Sequence, residues 1–160
     1  LLTFPVRLTT TVFAKFSAGW MFLGISLLLT FPMIWTVHFL GSPDSGPITT
    51  GYLGSFLMAG SYLAIASLTS SITKNQIISF ILSVIICLLL VLSGWGVLSD
   101  TLNSIFPVWF SDVVAQFSFT THFDAIRRGV VDIRDLIYFI SIIVIVLMLN
   151  VVVLESHKAS

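Results

Sequence analysis

The stretch that decides the fold lies near the C-terminal end of the sequence: Leu136–Leu154, LIYFISIIVIVLMLNVVVL. It contains no charged residue, and Asn150 is its most polar side chain. A helix needs roughly 20 mostly apolar residues to cross the hydrocarbon core of a bilayer. A helix of this length that is apolar on every face is typical of a membrane span. The stretch therefore predicts a transmembrane helix.

The same pattern recurs upstream. No charged residue lies between Lys15 and Asp44, between Asp44 and Lys74, or between Lys74 and Asp100. Together with the first stretch, these intervals predict four spanning helices, at residues 17–40, 51–71, 76–98 and 136–154. The fold class predicted from the sequence is thus all-α transmembrane, with residues 1–160 forming a single membrane domain.

The overall composition agrees with a membrane protein. The chain has 160 residues, of which 57% are hydrophobic and 9% are charged. Its mean hydropathy is +1.09. A soluble domain carries about 25% charged residues, so these few charges cannot cover a water-exposed surface. The formal net charge is zero, which provides no basic field for nucleic acid and predicts no nucleic-acid partner.

The positions of the isolated bases predict the orientation in the membrane. If four helices alternate in direction, the N-terminal segment, the Lys74 turn and the C-terminal end share one side. That side carries Arg7, Lys15, Lys74 and Lys158. Because lysine and arginine in short loops favour the cytoplasmic side, this side is predicted to be cytoplasmic. The loop at 41–47 and the region 99–135 are then external.

The external region 99–135 is mixed in character. It is aromatic and amphipathic, it is broken by Pro107, and it is too polar to span. Such a segment either lies in the membrane interface or enters the bundle and returns, and the residues alone leave both alternatives open. Arginines in this region oppose the orientation given above, but nearby aspartates can pair with them. The candidate functional residues of the region are His122, Asp124, Arg127, Arg128 and Asp132.

The sequence lacks the common catalytic motifs. It contains no GxxxxGK[ST] loop for nucleotide phosphates, no HExxH zinc motif and no GxSxG nucleophile motif. Its histidines, His38, His122 and His157, are far apart, and the middles of the predicted spans carry no acid or base. We therefore predict no catalytic, cofactor-binding or metal-binding residue. For Asn150, an interhelical hydrogen bond is favoured over a role as substrate ligand.

Small residues recur at helical spacing in the second predicted span. Because small side chains allow helices to approach closely in lipid, such a pattern predicts a packing face. The residues of this predicted face are Gly51, Ser55, Ala59, Gly60 and Ala64.

Several motifs resemble one known family. The opening Leu1-Leu-Thr-Phe-Pro-Val-Arg7, followed by Lys15, resembles the end of the cytoplasmic segment of type-2 ABC exporter permeases. The segments Gly51-Tyr-Leu-Gly54, Tyr62-Leu-Ala-Ile-Ala66 and His122-Phe-Asp-Ala-Ile-Arg-Arg-Gly129 resemble the branch that includes gliding-motility ABC permeases. The resemblance covers essentially the whole chain.

The resemblance implies an architecture. Members of the family have six spans, so the four predicted here correspond to the last four, and the first two are expected to lie before Leu1. The family has short re-entrant external helices before its final span, which favours the re-entrant alternative for 99–135. Residues 1–15 correspond to a cytoplasmic segment that couples to an ATPase, and its expected contact residues are Leu2, Phe4, Pro5 and Arg7.

The resemblance also implies a function: a permease subunit that couples ATP hydrolysis by a partner subunit to export across the bacterial cytoplasmic (inner) membrane. The implied partners are an ATP-binding cassette ATPase, a second permease copy or paralogue, and membrane lipid. No cofactor is expected to bind directly, since ATP would act through the partner. Two alternatives remain: a membrane component of a motility or envelope-assembly machine, and a polytopic membrane enzyme. The lack of convergent acids, bases and metal ligands disfavours the enzyme.

Overall fold

The computed structural model describes residues 7–95, 104–105 and 107–159, and these residues contain helices and no strand. In chain order the helices are α1 Leu8–Leu28, α2 Phe31–Leu40, α3 Ser45–Ile72, α4 Gln76–Leu92, α5 Val108–Gln116, α6 Phe119–Arg127 and α7 Ile133–Ala159. The all-α prediction is confirmed for this part of the chain. Of the predicted coupling residues, Leu2, Phe4 and Pro5 lie outside the described residues.

Three segments are long and apolar enough to cross a membrane. They are Leu8–Leu40, which comprises α1 and α2, then Ser45–Ile72 and Ile133–His157. Helix α4 is equally apolar but has only 17 residues, so it is shorter than a bilayer core requires of a single helix. The described residues therefore provide three candidate membrane-spanning helices, and α4 differs from the continuous span predicted at 76–98.

The first candidate span starts earlier than predicted. Helix α1 begins at Leu8 and runs through Lys15 without interruption, so residues 8–15 form its first turns. The reason is packing: Val12 and Phe16 are both buried in one cluster with Ala64. Only Arg7, exposed just before α1, remains outside a helix among the described residues of the predicted coupling segment.

Between α1 and α2 the helix is broken at Leu29 and Thr30. Pro32 explains the break, because it lacks the N–H group that would bond to the carbonyl oxygen of Leu28. Both pieces nevertheless belong to the same candidate span.

Helix α3 also starts before its predicted position. The Asp44 carboxylate accepts a hydrogen bond from the Gly46 N–H at 3.1 Å and caps the first turn. Pro47 is tolerated in that turn because the first N–H groups of a helix have no intrahelical partner. The predicted loop at 41–47 is therefore shorter, because its last three residues belong to α3.

Helix α3 is the hub of the bundle and packs against α1, α4, α6 and α7. Helix α7 is parallel to it: the Asn150 amide donates to Ser67 Oγ at 2.7 Å, and Ile143 lies against Gly60 in the same register. Helix α1 is antiparallel to α3, with the Trp20 indole N–H donating to the Phe56 carbonyl at 3.0 Å. The start of α1, the α3–α4 turn and the end of α7 thus lie at one end, which we call the basic end because it carries Arg7 and Lys74.

Two of the predicted small residues, Gly60 and Ala64, are buried where helices pack together. A Cβ atom at Gly60 would lie 2.7 Å from Trp20 Nε1 and 3.1 Å from Ile143 Cδ1. Ala64 is completely buried. Ser55 and Ala59 lie beside this face and are half-buried, whereas a Cβ at Gly51 would meet no atom within 4 Å.

These contacts predict opposite effects for two equal substitutions in α3. Gly60→Ala forces the new methyl group into Trp20 and should destabilise the fold by about 1–3 kcal/mol. Gly51→Ala meets open space and should be neutral or stabilise the helix by up to about 1 kcal/mol. Thermal unfolding of both variants in the same detergent measures the difference. Equal stability of the two would contradict the packing described here.

Candidate functional site

Helix α6 is inserted into the middle of the bundle. Its first residue, Phe119, is completely buried. The Phe119 ring lies 5.3 Å from the ring of Tyr62 and 5.8 Å from that of Phe139, measured between ring centroids. Because Tyr62 is in the middle third of α3, the start of α6 is deep in the bundle and not at its surface.

From this depth α6 runs to the end of the bundle opposite the basic end. Ile126 is completely buried and packs against Gly54, where a Cβ would lie only 2.9 Å from Ile126 Cγ2. Gly129 follows α6 with φ of +88°, a conformation that favours glycine, and lies beside Pro47 in the first turn of α3. The 9 residues of α6 cover about 13 Å along this path.

Helix α4 ends where α6 begins. A Cβ at Gly94, two residues beyond α4, would lie in contact with Ser118, the residue before α6. The Thr120 hydroxyl donates to the carbonyl oxygen of Val91 at 2.7 Å, and so pairs one of the final carbonyls of α4. Ser118 Oγ accepts from the Thr120 N–H at 3.2 Å and caps α6.

Helices α4 and α6 therefore follow each other along one path, and we call this pair the interrupted span. Its 17 and 9 residues come close to the 28 residues of α3. An irregular backbone at membrane depth is tolerated only where protein or water pairs its polar groups. The hydroxyls of Ser118 and Thr120 do this at the break.

A histidine clamp connects α5, α6 and α7 beside the interrupted span. His122 Nδ1 lies 2.6 Å from the carboxylate of Asp135, and His122 Nε2 lies 3.0 Å from the carbonyl oxygen of Gln116. The imidazole stacks on Tyr138 at a centroid distance of 3.9 Å. Tyr138 in turn donates its hydroxyl to the carbonyl oxygen of Phe117.

Both ring nitrogens of His122 face an acceptor group: Nε2 faces the Gln116 carbonyl oxygen and Nδ1 faces the Asp135 carboxylate. Asp135 is only 6% exposed, so this interaction is shielded from water. The clamp fixes the end of α5 and the start of α7 to α6.

The other predicted residues of this region are not brought together. Asp124 and Arg127 form an exposed pair at 3.7 Å on one face of α6. The Asp132 carboxylate accepts from the Arg134 N–H at 3.0 Å and supports the start of α7, while Arg128 is exposed. Of the five candidates, only His122 makes a buried polar contact.

Asp135 is not among the functional residues predicted from the sequence. Its position offers a signal, because it is the last charge before the uncharged stretch and lies in the first turn of α7. A carboxylate is favourable there, near the positive end of the helix dipole. Its pairing with His122 depends on how α6 enters the bundle, which local sequence does not encode.

The arrangement holds helices to one another. No group of three histidine, cysteine, aspartate or glutamate side chains in the described ranges could hold a metal ion. The polar contacts described above pair backbone groups at helix ends or connect one helix to another.

Comparison of the chain with protein-family models, with curated proteins and with solved structures gives no match. The resemblance to type-2 ABC exporter permeases therefore rests on the sequence motifs, and what it implies about activity is proposed below.

The histidine clamp predicts a measurable coupling between two side chains. In a double-mutant cycle with His122→Gln and Asp135→Asn, the coupling free energy should be about 1–3 kcal/mol, because the contact is shielded from water. The exposed pair Asp124 and Arg127 is the matched control and should give about 0.5 kcal/mol or less. Unfolding in detergent gives both values, and a clamp coupling no larger than the control would contradict this assignment.

Proposed function

We propose that this chain is a membrane-spanning permease subunit of an ABC exporter that works with a separate ATPase. The observation that carries the proposal is the insertion of α6 between α4 and α7, with Phe119 buried in the middle of the bundle. The permease resemblance implies short re-entrant helices at this place in the chain. An interfacial helix on the lipid surface would not bury its first residue in this way.

In this proposal the bundle has four membrane crossings. Three are the candidate spans, and the fourth is the interrupted span, in which α6 completes the crossing that α4 begins. The basic end faces the cytoplasm, because Arg7, Lys15 and Lys74 lie toward it and positive residues favour that side. The arginines at the other end, Arg127, Arg128 and Arg134, lie among aspartates that offset their charge. Asp44, Asp124 and Asp132 lie at the other end, which is then external.

In this proposal the free energy of ATP hydrolysis reaches the bundle through contact of the partner with the basic end. The sequence has no phosphate-binding loop, so ATP would act through a partner that binds two conformations of the permease with different affinity. Arg7 and Lys74 are both exposed there and available for contact. The turn at Lys74 leads directly into α4, whose far end touches Ser118 and Thr120. A displacement of that turn would therefore be transmitted to α6.

The uncharged middles of the helices favour a lipid-like or otherwise hydrophobic substrate, or a polymer that passes along the bundle. The second candidate function, a mechanical component of a motility or envelope-assembly machine, uses the same coupling without a translocated substrate. Stimulation of ATP hydrolysis by a hydrophobic substrate distinguishes the exporter from the mechanical component.

The test of the proposal is co-purification of an ATPase with the tagged full-length protein from its native membrane. Lys74→Glu reverses the charge at the proposed contact and should reduce the recovered ATPase activity about tenfold, as expected when a contact loses about 1.4 kcal/mol. Arg128→Glu makes the same charge change at the opposite end, where the residue is equally exposed, and should leave recovery unchanged.

Three outcomes would contradict the proposal: no ATPase with the unmodified protein, equal loss in both variants, or full recovery with Lys74→Glu. Recovery with Lys74→Glu would exclude the Lys74 turn as the coupling contact. Absence of any ATPase would exclude the permease function itself.

A further inference from the structure

A groove opens at the basic end between α1, α3 and α7. Its volume is about 640 Å³. The polar side chains that line it are Thr11, Lys15, Ser67, Ser70, Ser71 and Asn150. The remaining wall is largely aliphatic, with Leu8, Val12 and Leu154 among its residues. The groove is therefore amphipathic, with hydroxyl, amide and ammonium groups beside an apolar wall.

The described side chains that line this groove carry positive charge and no negative charge. Lys15 is exposed at its rim, and no acidic residue is among the described side chains that line it. Lys15 lies two turns from the start of α1, so its long side chain can extend toward the membrane interface. An occupant of opposite charge is favoured at that level.

Asn150 gives a second and independent indication of a ligand. It is 4% exposed and donates its amide N–H to Ser67 Oγ, but its Oδ1 atom has no hydrogen-bond partner. Exchanging the two ends of the amide would leave its nitrogen unpaired instead. Buried polar groups are nearly always paired, because an unpaired one keeps the full cost of desolvation. Asn150 is thus a residue of the groove wall whose Oδ1 atom lacks a partner and has almost no exposed surface, so a ligand in the groove reaches it after a small shift of the neighbouring side chains.

We propose that this groove binds the headgroup of an anionic phospholipid from the cytoplasmic leaflet. The phosphate lies near Lys15 and the serine hydroxyls, a headgroup hydroxyl donates to Asn150, and the acyl chains follow the apolar wall. The negative surface of that leaflet supplies a ligand of complementary charge. This site goes beyond the proposed function: it rests on the cytoplasmic orientation of the basic end proposed above, and it requires neither an ATPase nor the insertion of α6.

Native mass spectrometry of the purified full chain tests the site, with phosphatidylglycerol and phosphatidylcholine as probes. Phosphatidylglycerol should be retained more strongly, since it carries both a net charge and hydroxyl donors. Lys15→Gln should weaken its retention about fivefold. Lys74→Gln is the matched control: it removes the same charge at the same end, outside the groove, and should leave retention unchanged.

Asn150→Leu is the second variant, because it keeps a similar side-chain volume while removing the unpaired amide. It should reduce phosphatidylglycerol retention while phosphatidylcholine retention stays the same. Should this variant fail to fold, the comparison of Lys15→Gln with Lys74→Gln still decides the matter.

Three results would overturn the proposal. The first is equal retention of the two lipids by the unmodified protein. The second is equal weakening by Lys15→Gln and Lys74→Gln, which would show general attraction to a basic end. The third is a dimer without lipid that Lys15→Gln dissociates, which would assign the groove to a second copy of the chain.

Discussion

The pairing of backbone groups at the break between α4 and α6 is the constraint on which the rest of the structure depends. Helix α4 ends against Ser118 and Thr120, and its final carbonyl groups need partners, because the last carbonyls of a helix have no intrahelical bond. The Thr120 hydroxyl reaches the Val91 carbonyl, and Ser118 caps the helix that follows. Phe119, the residue between them, fills the space between α3 and α7. At the break, the Val91 carbonyl and the start of α6 thus have hydrogen-bond partners, and the space around them is filled by the Phe119 side chain.

The other helices hold the break between α4 and α6 in place. Helix α3 provides the surface against which α6 and α7 pack, and Gly54 allows Ile126 to approach its backbone closely. The clamp of His122 and Asp135 holds α6 to the start of α7. One end of the interrupted span is thus fixed beside the start of α7, while its other end begins after the Lys74 turn.

Part of this structure could be predicted from the sequence. The intervals between charges correctly indicated helices around α3 and α7, because apolar length reports membrane burial directly. The helix ends were less accurate, since they depend on local caps such as Asp44 and not on hydropathy. The interval 76–98 is uncharged throughout, yet α4 ends at Leu92. The contact of Gly94 with Ser118 is a tertiary feature that hydropathy does not contain.

The candidate sites likewise include features that the sequence predicts and features that only the tertiary structure reveals. Spacing placed Gly60 and Ala64 in a set of small residues, and in the structure Gly60 is in close contact with Trp20 while Ala64 is completely buried. It could not separate them from Gly51, because small residues cover more than one face of α3 and only the neighbouring helices decide which face is used. Asn150 was expected to form an interhelical hydrogen bond, and its bond to Ser67 confirms this. The unpaired end of the same amide became visible only with the surrounding groove.

The most direct measurement of the central claim is the membrane depth of the turn between α5 and α6. Phe117 is 60% exposed on that turn and can carry a spin label as Phe117→Cys in a Cys87→Ala background. The inserted α6 predicts that oxygen relaxes this label strongly and that a water-soluble nickel complex does not. A label at Ser42, in the exposed loop before α3, should show the reverse. Nickel accessibility at Phe117 equal to that at Ser42 would show that the two short helices lie on the membrane surface, and would contradict the account.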